Sequence, residues 1–236
     1  MRAIFRSFLH MMKVVMHDKM LFAALIAPVL AGTAIRFLVP AAENTLVRIA
    51  DFPVFLTLYY GLFDIFLASL SPVMFCFIAA MVVLEEHDDH IDRYLFVTGL
   101  GRNGYFVSRM MLPAFFAFVM TTLLLPVFEL TKRSVAEILF LSLSGSLQGI
   151  VIALLIVTLS SNKLEGMAVT KLSSLMIFGA VVPYFVPAPI DRCAFFLPSF
   201  WMGKTMLEGK PVVLLLSAMV SVCWILFLKR KYDRKI

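Results

Sequence analysis

Charge is scarce in this chain. Asp, Glu, Lys and Arg make up 15% of its 236 residues and hydrophobic residues 61%, whereas a soluble globule holds about a quarter charged and near half apolar residues. A water-soluble fold is excluded. Histidine is rare too, with four copies, and no His-Glu-x-x-His pair occurs to build a zinc hydrolase helix. No Gly-x-Ser-x-Gly nucleophile motif is present. The phosphate-cradling run Gly-x-x-x-x-Gly-Lys-Ser/Thr is missing as well. Gly99-x-Gly101-x-x-Gly104 follows no strand, so it reads as a turn and not a nucleotide loop. The chain is therefore expected to hydrolyse no ATP alone and to bind no cofactor or metal of its own. Cys76, Cys193 and Cys223 stand far apart and form no Cys-x-x-Cys pair or disulfide framework. The first apolar run has no small-residue cleavage site after it, so no signal peptide is expected. No internal repeat is visible.

What the chain has is length enough for six membrane spans. A helix crossing a bilayer needs ~20 mostly apolar residues, because without water it must satisfy its own backbone. Such runs fall at 20–39, 64–84, 105–128, 135–159, 168–186 and 212–228. They fill one all-α membrane domain and leave no room for a soluble one. Residues 1–18 place Ile4, Phe5, Phe8, Leu9, Met12, Val15 and Met16 on one face and Arg2, Arg6, His10, Lys13 and His17 on the other, the pattern of an interfacial amphipathic helix. Pro40–Asp51 reads as a polar outer loop. Phe52–Phe63 reads as an aromatic segment in the outer interface, with Asp64 near the membrane border. Glu129–Arg133 is a short outer turn, and Ser160–Gly166 an inner loop. Residues 187–210, broken by Pro187, Pro189, Pro198, Gly203 and Gly209, suit a re-entrant or interfacial hairpin on the outer side.

Orientation follows from the cations. With both termini inside, fourteen of the 21 lysines and arginines lie on inner segments, as the positive-inside rule requires. The formal net charge of +6 is thus a topology signal, and a nucleic-acid partner is not expected.

The longest polar stretch, Glu85–Arg102, then lies inside, between spans two and three. Glu85, Glu86, Asp88 and Asp89 cluster where a helix would begin, favoured there by the dipole. Ile91, Tyr94, Leu95 and Thr98 share a stripe with Asp92 and Arg93 beside it, and Gly99 and Gly101 end the helix. A short helix with such a mixed surface suits a groove in a partner protein.

This stretch resembles the coupling segment of ABC-2 type permeases, the membrane subunits of ATP-binding-cassette exporters. Their usual run is approximately Glu-x-x-x-Gly-Thr-Leu-Glu-x-Leu-x-x-Thr-Pro-Leu, followed after eight further residues by Lys. Glu85/Glu86 match the acidic start, Ile91-Asp92 the Leu-Glu, Leu95 the next Leu, and Thr98-Gly99-Leu100 the Thr-Pro-Leu; Arg109 stands where Lys is common. Asp89-His90 replace Gly-Thr, and Gly99 replaces Pro. The likeness extends to the N-terminal helix, to Asn162–Ala168, and to the broken outer segment with Pro198 and Trp201. It implies a bacterial plasma-membrane permease with cytoplasmic termini. It also implies a second permease protomer, identical or related, and two separate ATPase subunits carrying ATP and Mg. The ATPases would act on Glu85, Glu86, Asp89, His90, Ile91, Asp92, Arg93, Tyr94, Leu95 and Thr98.

Two rivals remain in view. His87 and His90, with Asp88, Asp89 and Asp92, form a conceivable metal cluster for intramembrane catalysis, but no second cluster on another span completes it. A proton-coupled transporter would place ionisable groups mid-membrane, yet the span cores are nearly free of charge. That scarcity favours a lipidic or amphipathic substrate. Ser142, Ser144, Ser146 and Gln148 make the most polar patch in any span and serve either helix packing or the substrate path.

Overall fold

The computed structural model describes residues 2–50, 56–187, 190–209 and 212–235. All regular elements among them are helical. In chain order they are α1 (Arg2–His17), α2 (Lys19–Ala50), a 3₁₀ turn (Leu56–Tyr59), α3 (Tyr60–Asp88) and α4 (Ile91–Val97). Then come α5 (Gly101–Phe106), a π-helical turn (Val107–Met111) and α6 (Leu112–Phe128), which form one rod. After α7 (Val135–Leu159), a second rod joins α8 (Lys163–Ser174), a 3₁₀ stretch (Leu175–Val181) and α9 (Val182–Phe185). Another 3₁₀ turn (Ile190–Ala194), α10 (Pro198–Glu208) and α11 (Val213–Lys235) complete the chain. Six of these units, namely α2, α3, the two rods, α7 and α11, are long and apolar enough to cross a membrane. α1, α4 and the end of α11 lie together at one end of the bundle, called here the terminal face. The opposite, distal, end carries α10.

The bundle is built around α3 and α7, whose apolar windows are mostly inside the protein while the other four spans are mostly peripheral. Lipid tails are as apolar as leucine, so helices in a membrane associate by close packing of small residues. Gly145 and Gly149 of α7 supply it. A Cβ on Gly145 would stand 2.2 Å from the Ala68 carbonyl oxygen of α3, and one on Gly149 would stand 2.9 Å from that of Pro72. Ser142, Ser144, Ser146 and Gln148 are all buried in the same stretch of α7, and Ser146 Oγ returns its proton to the Ser142 carbonyl at 2.8 Å. Next to this seam, Thr121 Oγ1 of α6 bonds Ser71 Oγ of α3 at 3.0 Å.

Several boundaries differ from the sequence reading. The stretch 40–50 is not a loop: α2 continues through Pro40 to Ala50. Its extension is held by Glu43, which accepts from the Thr57 amide at 3.2 Å and hydroxyl at 3.0 Å and from the Tyr60 hydroxyl. Thirty-two residues make a rod of about 48 Å, longer than the ~30 Å hydrocarbon core. Of the expected aromatic interface segment and the outer loop before it, residues 51–55 lie outside the described residues, as do Pro189 and Lys210. The second span opens at Tyr60, four residues before Asp64.

Asp64, placed near the border by its position in the sequence, lies against the α6–α7 turn and is fully buried there. It accepts from the Leu130 and Thr131 amides at 2.8 and 3.2 Å and pairs with Arg133 at 3.2 Å, so one carboxylate clasps the turn between α6 and α7. That turn is closed by a capping box in which Ser134 and Glu137 satisfy each other's backbone. Nearby Glu129 is pushed above the ordinary carboxylate range by burial and by the Asp64 charge.

Replacing Gly145 by valine forces apart two backbones that no side-chain rotation can relieve. Such overpacking costs about 1–3 kcal/mol or more, roughly 2–4 °C of melting temperature per kcal/mol at this chain length. Thermal melting of the detergent-purified protein should fall for Gly145→Val. It should stay unchanged for Gly99→Val, where a Cβ meets nothing within 4 Å.

Candidate functional site

The polar stretch does not begin a helix; it ends one. Glu85, Glu86, His87 and Asp88 form the last turn of α3. Acidic side chains there oppose the helix dipole, so each needs a partner. Glu86 has the strongest one. Arg109 reaches it with Nη2 at 2.5 Å and Nε at 2.9 Å, and the Tyr105 hydroxyl adds a bond at 2.8 Å. Arg109 Nη1 donates to the Ser7 carbonyl and hydroxyl at 2.9 and 3.0 Å. One buried guanidinium thus joins α1, α3 and the α5–α6 rod. It sits in the π-helical turn Val107–Met111, an irregularity often found at functional positions.

Lys163, the first residue of α8, gathers the other acids. Its ammonium lies 2.9 Å from Glu85 and 3.4 Å from Asp18, and its amide donates to Asp88 at 3.0 Å. Asn162 caps the same helix by accepting from the Glu165 amide at 2.8 Å. Asp18 caps α2 through the Met20 and Leu21 amides. Burial works to raise its carboxyl, but those amides and Lys163 outweigh burial and hold it below the usual range. Behind them, Lys235 donates to the Val157 carbonyl at 2.7 Å and to that of Ser160, a cation on the open carbonyls at the end of α7.

The chain leaves α3 through His90, the single non-glycine residue with positive φ among those described (58°), and α4 starts at Ile91. Thr98 stops α4: its hydroxyl donates to the Leu95 carbonyl at 2.7 Å and accepts from the Leu100 amide at 3.3 Å. Gly101 at φ +64° then makes a turn that a β-carbon would strain.

The residues expected to meet a partner divide into two groups. Asp92 is buried, 2.7 Å from His87 Nδ1, and Leu95 leans with Phe96 onto the main core; both hold α4 down. Ile91, Arg93, Tyr94 and Thr98 face out, with Asp89 and His90. Val97, unmarked in the sequence reading, is the most exposed apolar side chain here at 85%, next to Tyr94 at 73%. Its signal was the spacing 91, 94, 97. Between α4 and α1 runs a groove of about 490 Å³, lined by Arg6, His10, Met11, Asp89, Ile91 and Leu95 among others. Arg109, which stands where the family's Lys is common, and Lys163, inside the Asn162–Ala168 likeness, prove to organise the whole face.

The metal reading finds no support in this geometry. His87 is engaged with Asp92, and among the described residues no three His, Cys, Asp or Glu side chains converge on one point. Asp64 is likewise engaged, by Arg133 and two amides. At the distal end an apolar cavity of about 660 Å³ opens between α2, α3 and the α8–α9 rod. Tyr59, Phe63, Phe66, Phe178 and Phe185 line it, with the Tyr59 and Phe185 rings stacked at 5.5 Å. Ser142, Ser144, Ser146 and Gln148 line neither this cavity nor the α1–α4 groove.

Residues 11–229 match the model of the Rv2686c-like family, described as fluoroquinolones export permease protein Rv2686c-like. The chain belongs to that family. Two Mycobacterium tuberculosis proteins, the fluoroquinolones export permease protein Rv2686c of strain H37Rv and MT2760 of strain CDC 1551, are each 27% identical to it over 192 residues. The alignment covers 79% of this chain and 75% of each relative. No solved structure matches it. This chain is a multi-pass membrane permease of an export family, in keeping with the ABC-2 resemblance.

Removing one side of a buried ion pair costs about 3–5 kcal/mol, whereas an apolar pair of similar volume is often neutral. Arg109→Met should therefore sharply lower the melting temperature and the monodisperse yield in detergent. The double variant Glu86→Leu/Arg109→Met should recover much of that loss.

Proposed function

We propose that this permease is the membrane-spanning half of an ATP-driven exporter. Two protomers, identical or related, face each other in a bacterial plasma membrane with their terminal faces in the cytoplasm, and two separate ATPase subunits holding ATP and Mg dock beneath. The observation that carries this reading is α4. Ile91, Tyr94 and Val97 form an apolar strip on an otherwise charged face, mounted on a helix that His87–Asp92 and the Leu95/Phe96 contacts fasten to the bundle. An exposed apolar strip of this kind suits a protein partner. A partner that pushes on α4 moves α3 directly, and through Arg109 and Lys163 moves α1, the α5–α6 rod and α8 as well. Glu85, Glu86 and Asp92 serve that transmission from inside; Asp89, His90, Arg93 and Thr98 lie around the contact.

The substrate is an amphipathic aromatic molecule of the fluoroquinolone kind, by the names of the relatives. The distal cavity, nearly all apolar and rich in rings, fits the flat part of such a molecule. ATP-driven motion of α3 reaches it, because α3 contributes Leu62, Phe63 and Phe66 to its wall. The buried Ser142–Gln148 patch serves the α3–α7 packing.

Loss of a central interface side chain costs about 2 kcal/mol or more, roughly thirtyfold in affinity. Tyr94→Asp and Val97→Asp, whose side chains touch little of the bundle, should abolish ATP-dependent export and copurification of the ATPase while leaving melting temperature unchanged. Full export by both variants would contradict the docking role of α4.

A further inference from the structure

α1 presents three surfaces, not two. Phe8, Met11 and Val15 are buried against the bundle, and Arg109 ties Ser7 down beside them. A second strip, Phe5, Leu9 and Met16, is exposed and apolar. The third carries Arg6, His10, Lys13 and His17, all exposed. At 100° per residue, Lys13 and Arg6 fall directly beside Leu9, on the edge where the apolar strip meets the polar one.

That edge forms a concavity of about 660 Å³, lined by Leu9, Met12 and Met16 on one side and Arg6, His10, Lys13 and His17 on the other. Neither Arg6 nor Lys13 makes an ion pair among the described residues. The carboxylates Glu85, Glu86 and Asp89 border the adjoining groove, whose wall Arg6 and His10 share; Lys13 lies outside that groove and faces none of them. Only Asp18 separates α1 from the first span, so α1 cannot leave the level of the membrane border.

We propose that this edge of α1 is a binding surface for the headgroups of anionic phospholipids. Leu9, Met12 and Met16 take the start of the acyl chains, and Arg6 and Lys13 meet the phosphate charge. The inference does not rest on the ATPase contact, which is placed on the α4 strip Ile91, Tyr94 and Val97. It makes the pose of α1, and through Ser7 the pose of Arg109, sensitive to the charge of the surrounding leaflet.

The test is native mass spectrometry of the purified full-length chain, titrated separately with palmitoyl-oleoyl phosphatidylglycerol and palmitoyl-oleoyl phosphatidylcholine. A cation near an anionic surface contributes about 1 kcal/mol, roughly fivefold in affinity. The wild type should prefer phosphatidylglycerol several-fold. Arg6→Gln/Lys13→Gln should lose most of that preference, while Arg6→Lys/Lys13→Arg and a Lys229→Gln/Arg230→Gln control on α11 should keep it. Thermal melting checks that the variants are folded. Equal affinity for the two lipids, as expected if the edge instead meets an acidic protein, would overturn the proposal. So would a preference unchanged in Arg6→Gln/Lys13→Gln.

Discussion

The pairing of Arg109 with Glu86 is the constraint from which the terminal face follows. A guanidinium inside a span is tolerated only if every donor finds an acceptor. Here Glu86 takes two donors, Ser7 takes the third nitrogen, and the Tyr105 ring lies 5.6 Å from the guanidinium carbon. Satisfying one cation therefore decides where α1 lies, where α3 ends, and how the α5–α6 rod is turned. The π-helical turn is placed where this side chain must be aimed. Lys163 repeats the device for α2, α3 and α8 at lower burial, joining Asp18, Glu85 and Asp88. Few charges are spent in this protein, and at this end they are spent on joints between helices.

The two ends of the bundle divide the work between polar and apolar chemistry. The terminal face has charged joints and a small exposed apolar strip on α4, the surface proposed to meet the ATPase. The distal end has an aromatic cavity and one clasp, Asp64 with Arg133, that keeps the α6–α7 turn closed. Between them α3 and α7 touch backbone to backbone at Gly145 and Gly149. In the proposed cycle, this rigid central pair would let displacement at α4 be felt at Phe63 and Phe66, about seven helical turns along the same α3 helix.

The six spans, the amphipathic N-terminal helix and the elbow between spans two and three were legible in the sequence, because hydropathy and helical period are local signals. What was not legible depends on partners distant in the chain. Glu85–Asp88 looked like a helix start by composition; they form a helix end because Arg109 and Lys163, far along the sequence, neutralise them. Asp64 lies at the level of the α6–α7 turn, as its place in the sequence suggests, but nothing local revealed Arg133 and the two amides that bury it there. Pro40 looked like a stop, yet the Glu43 bonds to Thr57 and Tyr60 carry α2 past it. In α4 the period put Ile91, Tyr94, Leu95 and Thr98 on one stripe, but a seven-residue helix cannot say by itself that Leu95 and Asp92 turn in while Val97 turns out.

The central claim is that α4 stands in the cytoplasm and is gripped there by an ATPase. It is tested most directly by placing one thiol on the strip, Val97→Cys, in a background with Cys193 and Cys223, both exposed, replaced by serine, and following its reaction with a membrane-impermeant maleimide. The account predicts labelling in inverted membrane vesicles and not in right-side-out ones, with a marked slowing when the ATPase subunit is present. Labelling from the exterior, or a rate indifferent to the ATPase, would contradict it.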